Sequence, residues 1–169
     1  MRELLDELRT DHARNFGWSL SCCGWQRELA EDVLQEAYLR VLDGSARFRG
    51  RSSPRTWFYA VIRQVARDSL RGQHRRAVLN LRAVGREEPE PVGDGAMERL
   101  QEDENCGRLR AALMAISERQ REVLHLVFYA ELTVEEAAQT LRISVGSART
   151  HYHRGKERLA QLLELDDDD

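Results

Sequence analysis

Three helix-start signals in the C-terminal half constrain the fold of this chain more than any other feature. Ser117 with Gln120 and Thr133 with Glu136 each fit a capping box, in which two side chains satisfy backbone amides at the start of a helix. Ser144 adds a third N-cap. Strand-like alternation is scarce, and the chain has only three prolines, so the helical period runs throughout. The sequence therefore predicts an all-α fold.

The last two signals lie at the spacing of a helix-turn-helix. Residues 133–141 predict a short helix, Arg142 and Ile143 a tight turn, and residues 144–163 a longer helix. The outer face of the longer helix is polar near its N-terminus, the part of such a helix that enters the major groove. An ordinary helical hairpin with a charged outer face is the alternative. The candidate DNA-reading residues are Arg149, Thr150, His153 and Arg154.

Residues 40–82 form a strongly basic block with aromatic residues inside it. They hold eleven arginines and two aspartates, a net charge of +9 in a protein whose formal net charge is −3. Arginines bind phosphates and rings stack on unpaired bases, so the block favours contact with a splayed nucleic acid. The alternative is a solvated basic helix pair whose aromatic residues belong to the core. The rings are Phe48, Trp57, Phe58 and Tyr59.

Helical periodicity in the first half predicts three helices. They cover about residues 4–20, 26–42 and 54–71, the third with Ser53 as its N-cap before Pro54. Opposite its apolar stripe, the second helix has an acidic face suited to docking against a basic helix. A solvated face with one exposed leucine explains the same pattern. The face consists of Asp32, Gln35, Glu36, Leu39 and Asp43.

Composition divides the chain into two small domains. Residues 77–107 are rich in acids, proline and glycine and poor in apolar residues, which is typical of a flexible linker. The predicted boundaries are a first domain at 1–76, a second at 108–165 and an acidic tail at 166–169. The acidity of the linker either masks the basic surfaces weakly or only keeps the linker soluble.

Several classes of function find no support in the sequence. No apolar run approaches the roughly 18 residues of a membrane span, and the start lacks a secretory apolar region. The cysteines and histidines have no metal-type spacing, so we expect no metal and no cofactor. No nucleophile–base pair or phosphate-binding glycine loop indicates an enzyme. We expect a reduced cytoplasmic protein whose Cys22 and Cys23 are either inert thiols or an oxidant sensor.

Three segments in this order resemble the extracytoplasmic-function (ECF) sigma factors of bacterial RNA polymerase. The matching strings are AEDVLQEAYLRVL, FRGRSSPRTWFYAVIRQVARDSLR and ERQREVLHLVFYAELTVEEAAQTLRISVGSARTHYHR. The resemblance implies two helical domains, sigma region 2 and sigma region 4, joined by a flexible acidic linker. It also implies a promoter-specific initiation factor with no catalysis of its own, which docks on core polymerase, reads the −35 element and melts the −10 element.

The resemblance assigns roles to the candidate residues and implies an anti-sigma factor as a further partner. The acidic face of the second helix would dock on the clamp helices of the β′ subunit, with further contact to β. The loop at 48–53 and the next helix would melt the −10 element, with Trp57 in the core. The polymerase-binding residues would be Asp32, Gln35, Glu36 and Leu39. The −10 residues would be Phe48, Arg49, Arg51, Ser52, Arg55, Gln64 and Arg67. The −35 residues would be Arg149, Thr150, His153 and Arg154.

Three positions in the helix-turn-helix depart from the family pattern. Arg142 replaces the usual glycine of the turn, and a left-handed arginine there would cost on the order of 1 kcal/mol. His151 replaces an arginine and Gly155 an alanine. Two other interpretations remain at this point. One is a polymerase-independent regulator, which predicts dimers and palindromic sites. The other is a sigma-like decoy that binds a regulator instead of polymerase.

Overall fold

The computed structural model describes residues 2–83 and 104–165, and within these ranges the chain contains helices and no strand. A π-helical turn at His125–Tyr129 follows the sixth helix. The α-helices are α1 (Arg2–Thr10), α2 (His12–Cys22), α3 (Arg27–Leu42), α4 (Pro54–Ala83), α5 (Glu104–Ala115), α6 (Glu118–Leu124), α7 (Val134–Leu141) and α8 (Val145–Leu165). Helices α1–α4 form an N-terminal unit, and α5–α8 with the π-helical turn form a C-terminal unit.

The first predicted helix is in fact two helices, so the prediction of one helix over residues 4–20 was wrong. The chain breaks between Thr10 and His12. The side-chain amide of Asn15 donates to the carbonyl oxygen of Leu8 at 2.7 Å. A continuous helix would use that carbonyl for the backbone amide four residues later. The side chain of Asn15 therefore gives the Leu8 carbonyl oxygen the hydrogen-bond donor that the break in the helix removes.

Helix α4 starts where the sequence predicts and ends later. The Ser53 hydroxyl accepts from the backbone amide of Thr56 at 3.2 Å, as an N-cap does. The predicted end near Arg71 was wrong, because the helix passes through Gly72 and reaches Ala83. A glycine inside a helix costs only about 1 kcal/mol relative to alanine, so one glycine does not stop a helix of otherwise good formers. The predicted linker at 77–107 therefore begins inside α4.

The C-terminal unit confirms all three predicted caps. Both capping boxes are complete, at Ser117 and at Thr133. Ser144 accepts from the backbone amide of residue 147 at 3.0 Å. Helix α5 was not predicted, because it begins in the polar segment interpreted as linker. Residues 84–103, the centre of that segment, and the predicted tail at 166–169 lie outside the described residues.

The two units pack against each other and share one apolar core. Helix α4 contacts α7, and α2 contacts the π-helical turn. Trp18 and Ile62 from the N-terminal unit are fully buried in the same cluster as Val123 and Leu126 from the C-terminal unit. The sequence predicted both units as helical domains but did not predict this contact.

Candidate nucleic-acid interface

The acidic face of α3 is open to solvent. The apolar stripe of α3 is buried against the rest of the N-terminal unit, which turns Asp32 and Gln35 outward. Leu39 is 48% exposed, although it is a large apolar side chain. It borders a shallow groove between α2 and α3 that is lined mainly by apolar atoms, including those of Phe16 and Leu34. An apolar groove beside carboxylates suits a partner helix that carries both apolar and basic side chains.

A polar network joins this face to α4. Arg40 binds Glu36 at 2.8 Å on its own helix and Asp68 of α4 at 3.5 Å. The hydrogen bond to Glu36 is the largest of the effects that raise the pKa of Arg40. Asp68 also accepts from the side-chain amide of Gln64 at 3.0 Å. Arg40 and Asp68 therefore link the predicted docking face to Gln64, a predicted base-contacting residue.

The loop before α4 displays the predicted −10 residues. Arg49 and Arg51 are exposed, and Ser52 is half-buried. Between the two arginines, Gly50 has φ of +67°, a left-handed conformation that glycine adopts without steric cost. Phe48 is half-buried, with its ring centroid 5.3 Å from that of Trp57. This contact fixes the loop against the N-terminal unit.

The aromatic residues of the basic block belong mainly to the core. Phe58 and Tyr59 are fully buried, so they cannot act as stacking platforms in this conformation. Burial raises the pKa of the Tyr59 hydroxyl to about 12. Trp57 is half-buried and packs against the core, as the sequence predicted. Of the four aromatic residues, Phe48 lies nearest in the sequence to the exposed loop arginines, and its ring is partly exposed.

Arg55 and its neighbour Thr56 contact the C-terminal unit. Arg55 donates to the backbone carbonyl of Glu131 at 3.3 Å and lies 3.9 Å from a carboxylate oxygen of Asp11. The backbone carbonyl of Thr56 accepts from the hydroxyl of Thr140 at 3.3 Å. The other two predicted α4 residues differ in exposure, since Gln64 is exposed and Arg67 is half-buried.

The four predicted −35 residues share the exposed face of α8. The caps of α7 and α8 hold these two helices as a helix-turn-helix, with Arg142 between them at φ +55° and ψ +48°. Arg149 pairs with Glu135 of α7 at 2.9 Å. The Thr150 hydroxyl donates to the carbonyl of Gly146 at 3.0 Å. The exposed members of this face are Arg149, Thr150, His153 and Arg154.

The position of Gly155 has a packing reason. A Cβ atom at this residue would lie 3.1 Å from Cδ1 of Leu124 on α6. Contacts this short are rare for real Cβ atoms, so the glycine permits the close approach of α8 to α6. This close packing holds the backbone of α8 against α6 within the C-terminal unit.

The thiols are not activated. Burial is the largest cause that raises the pKa of Cys22 well above its ordinary value, and it raises the pKa of Cys23 to about 11. Thiolates are the reactive form of cysteine, so these two favour the inert interpretation. Within residues 2–83 and 104–165, no group of three or more histidine, cysteine or acidic residues could hold a metal ion. None of the helices there is long and apolar enough to cross a bilayer.

Sequence reasoning missed a buried ion pair between the two units. Arg63 of α4 donates from Nε and Nη2 to both carboxylate oxygens of Glu122 on α6, with an Nη2–Oε2 distance of 3.2 Å. Arg119 also binds that carboxylate, at 2.8 Å. The available signal was a lone acid at the start of an apolar run, Glu122 before Val123. Such a position predicts burial only when a cation is known to face it.

Comparisons with known proteins agree with this architecture. The family model described as Sigma-70 region 2 matches residues 4–76, and the model described as Sigma-70, region 4 matches residues 106–159. ECF RNA polymerase sigma factor SigX of Bacillus subtilis (strain 168) is 35% identical over 140 residues, covering 80% of this chain and 71% of SigX. ECF RNA polymerase sigma factor SigC of Mycobacterium tuberculosis (strain CDC 1551 / Oshkosh) is 30% identical over 138 residues, covering 82% of this chain and 72% of SigC.

The fold is also that of known sigma factor structures. The sigma factor RpoE, crystallised in complex with the anti-sigma factor NepR from Bartonella quintana, superposes with a TM-score of 0.73 at 20% identity, covering 98% of this chain and 99% of RpoE. CnrH in complex with the cytosolic domain of CnrY gives a TM-score of 0.67 at 19% identity, covering 98% and 91%. With both sigma regions matched in order and relatives of this identity, the chain belongs to the ECF sigma factors, the alternative sigma factors of RNA polymerase that act in transcription initiation.

Proposed function

We propose that this chain docks on bacterial core RNA polymerase through the exposed face of α3 and directs it to specific promoters. The observation that carries the proposal is an open, acidic and apolar face joined directly to a basic loop. Asp32, Gln35 and Leu39 point outward, with Glu36 half-buried beside them. Such a face fits the clamp helices of β′, and β would provide further contact.

The promoter roles follow from the two basic surfaces. The loop at 48–53 and the start of α4 would bind the backbone and capture bases of the melted −10 element, which offsets an unstacking cost of a few kcal/mol per step. The exposed face of α8 would enter the major groove of the −35 element, where an arginine such as Arg149 reads guanine bidentately. The predicted domain boundaries at 1–76 and 108–165 would separate these two tasks.

Three finer statements belong to the same proposal. The chain would act in the cytoplasm, where the polymerase is, and would contribute no catalytic group of its own. It would also be held by an anti-sigma factor, as RpoE is bound by NepR in the complex named above.

The first test is co-elution of the purified chain with bacterial core polymerase in size-exclusion chromatography. Asp32→Lys with Glu36→Lys should abolish co-elution, because two reversed charges would face the clamp helices. The matched control reverses two exposed acids of α1, Asp6→Lys with Glu7→Lys, and should still co-elute. A folded wild-type chain that never co-elutes would instead favour a polymerase-independent regulator or a decoy.

A further inference from the structure

Asp68 is an unusual residue of α4, the helix that follows the basic loop. It is the only acidic residue within Pro54–Ala83, a helix that contains seven arginines. A carboxylate on a surface that binds phosphates weakens binding, because like charges repel each other. An acid at this place therefore needs a structural or a functional reason.

Both carboxylate oxygens of Asp68 have partners. Oδ1 accepts from Nε2 of Gln64 at 3.0 Å, and Oδ2 lies 3.5 Å from Nη1 of Arg40 on α3. Arg40 is itself held by Glu36 at 2.8 Å. The Asp68 side chain is 42% exposed, so the carboxylate lies at the surface while contacts on two sides fix its orientation.

The contact with Asp68 decides which way the amide of Gln64 faces. A carboxylate has only acceptors, whereas a glutamine amide has an NH2 group that donates and an oxygen that accepts. The NH2 group must therefore face Asp68, because the opposite orientation would place two acceptor oxygens against each other. Gln64 is exposed, and its Oε1 atom has no hydrogen-bond partner among the described residues. The surface of α4 thus presents an acceptor at this position.

An acceptor that faces outward distinguishes bases by their exocyclic groups. On the major-groove edge, adenine and cytosine have amino groups that donate, whereas guanine and thymine have only acceptors there. The oxygen of Gln64 can accept from an amino group, and it is repelled by a carbonyl oxygen. A glutamine that was free to rotate would suit both classes of base, since its NH2 group could also donate.

We propose that Asp68 is a positioning residue that fixes Gln64 as a hydrogen-bond acceptor, so that Gln64 selects adenine or cytosine at one position of the −10 element. This inference rests on the proposed function, since it requires α4 to meet the −10 element. Arg40 contributes by holding the carboxylate of Asp68 beside Gln64. It also offsets part of the negative charge, so the surface of α4 stays basic.

Replacements of Asp68 change the donors and acceptors that face Gln64. Asp68→Glu keeps an acceptor and should keep the preference for adenine or cytosine. Asp68→Asn offers both a donor and an acceptor, so the Gln64 amide can turn either way and the preference should disappear. Asp68→Lys offers only donors. The Oε1 atom of Gln64 would then face the lysine and its NH2 group would face outward, so the preference should change to guanine or thymine.

The base preference is measured on the holoenzyme formed from the full-length chain and bacterial core polymerase. The probe is a fork-junction DNA whose single-stranded end is randomised over the −10 element, and the bound fraction is sequenced. Gln64→Ala identifies the position that Gln64 reads, because the preference should be lost there. At that position wild type should favour adenine or cytosine by about two- to tenfold, as expected for one hydrogen bond.

Base analogues test the same contact without a change in the protein. The selected base is replaced by its analogue without the amino group, which is purine for adenine or 2-pyrimidinone for cytosine. Wild-type holoenzyme should bind the analogue about two- to tenfold more weakly than the selected base. Gln64→Ala should bind both equally, because it has no acceptor for the amino group. Each value is a ratio within one protein, so differences in overall DNA affinity cancel.

The outcomes separate this inference from the proposed function. A change toward guanine or thymine in Asp68→Lys would support the inference, since a purely structural tie between α3 and α4 would affect all bases alike. Unchanged preferences in Asp68→Lys and Asp68→Asn, or a Gln64→Ala variant that loses none, would overturn it and leave promoter recognition intact. A wild-type chain that forms no holoenzyme, or a holoenzyme that binds this DNA no better than core polymerase does, would refute the proposed function and this inference with it.

Discussion

The two basic surfaces of this sigma factor differ in how far the packing between the two units involves them. The face of α8 with Arg149 and His153 is exposed, and Arg149 contacts Glu135 of its own unit. The start of α4 is different, since Arg55 and Thr56 contact the C-terminal unit. The packing between the units therefore involves the start of α4, and it leaves the loop residues Arg49 and Arg51 and the exposed face of α8 open to solvent.

The largest expected effect concerns the packing between the two units. It is a pH dependence of stability that originates at His125. Burial beside Trp18 and Tyr129 lowers the pKa of His125 from 6.5 to about 4. The unfolded chain therefore binds more protons than the folded chain between these values. The neutral ring contributes to the free energy of unfolding, and this contribution is complete above pH 6.5. It is lost as pH falls toward 4, and the loss is about 2 kcal/mol at pH 5.

Urea unfolding at pH 7 and pH 5 measures that difference, with His125→Phe as the matched control. The phenylalanine keeps the aromatic contact and removes the titration, so its loss of stability between the two pH values should be smaller by about 2 kcal/mol. Because Trp18 belongs to the N-terminal unit, acid should also weaken the packing between the two units. An equal pH dependence in both proteins would show that His125 is hydrated in solution.

A second prediction concerns the exposed face of α8, which the packing between the units leaves open. Arg149→Ala should weaken binding of the polymerase holoenzyme to a −35 duplex by roughly 1–3 kcal/mol and relax specificity at one base pair. The measurement is fluorescence anisotropy on duplexes that differ at single positions. Arg158→Ala is the control, since this exposed arginine lies one helical turn beyond the predicted residues, toward the C-terminus of α8. An equal loss on every duplex would make Arg149 a phosphate contact instead.

Local signals in the sequence predicted the helix starts, and long-range packing decided what they missed. The caps at Ser117 and Thr133 were predictable because both partners of each capping box lie within three residues. The break after Thr10 was not, because it depends on a side-chain contact back to Leu8. The exposed face of α8 was predictable from its period, since polar residues at helical spacing face away from the apolar ones.

The contact between the units could not be predicted by the same reasoning. Arg63 and Glu122 are 59 residues apart, and each looks like an ordinary charged helix residue in its own segment. Their pairing depends on how two separately patterned units approach each other. Phe58 and Tyr59 show the same limit. An aromatic side chain suits either base stacking or a core, and here packing places both residues in the core.

The smallest expected effect tests a difference in backbone strain between two turns, one in each unit. The loop before α4 places Gly50 where φ is positive, at +67°, whereas the turn of the helix-turn-helix uses Arg142 at φ +55°. Arg142→Gly should stabilise the chain by about 1 kcal/mol, because only a residue with a Cβ pays the left-handed penalty. For a chain of this size that corresponds to a rise in Tm of about 3 °C.

Arg142→Lys is the matched control for this comparison, because it keeps both the positive charge and the Cβ. Its Tm should equal that of wild type in differential scanning calorimetry, while the glycine variant melts higher. A rise in both variants would attribute the effect to the guanidinium rather than to the backbone. No rise in the glycine variant would mean that the extra freedom of glycine in the unfolded chain offsets the relieved strain. The left-handed arginine would then cost this turn nothing relative to glycine, and the two turns would not differ in net backbone strain.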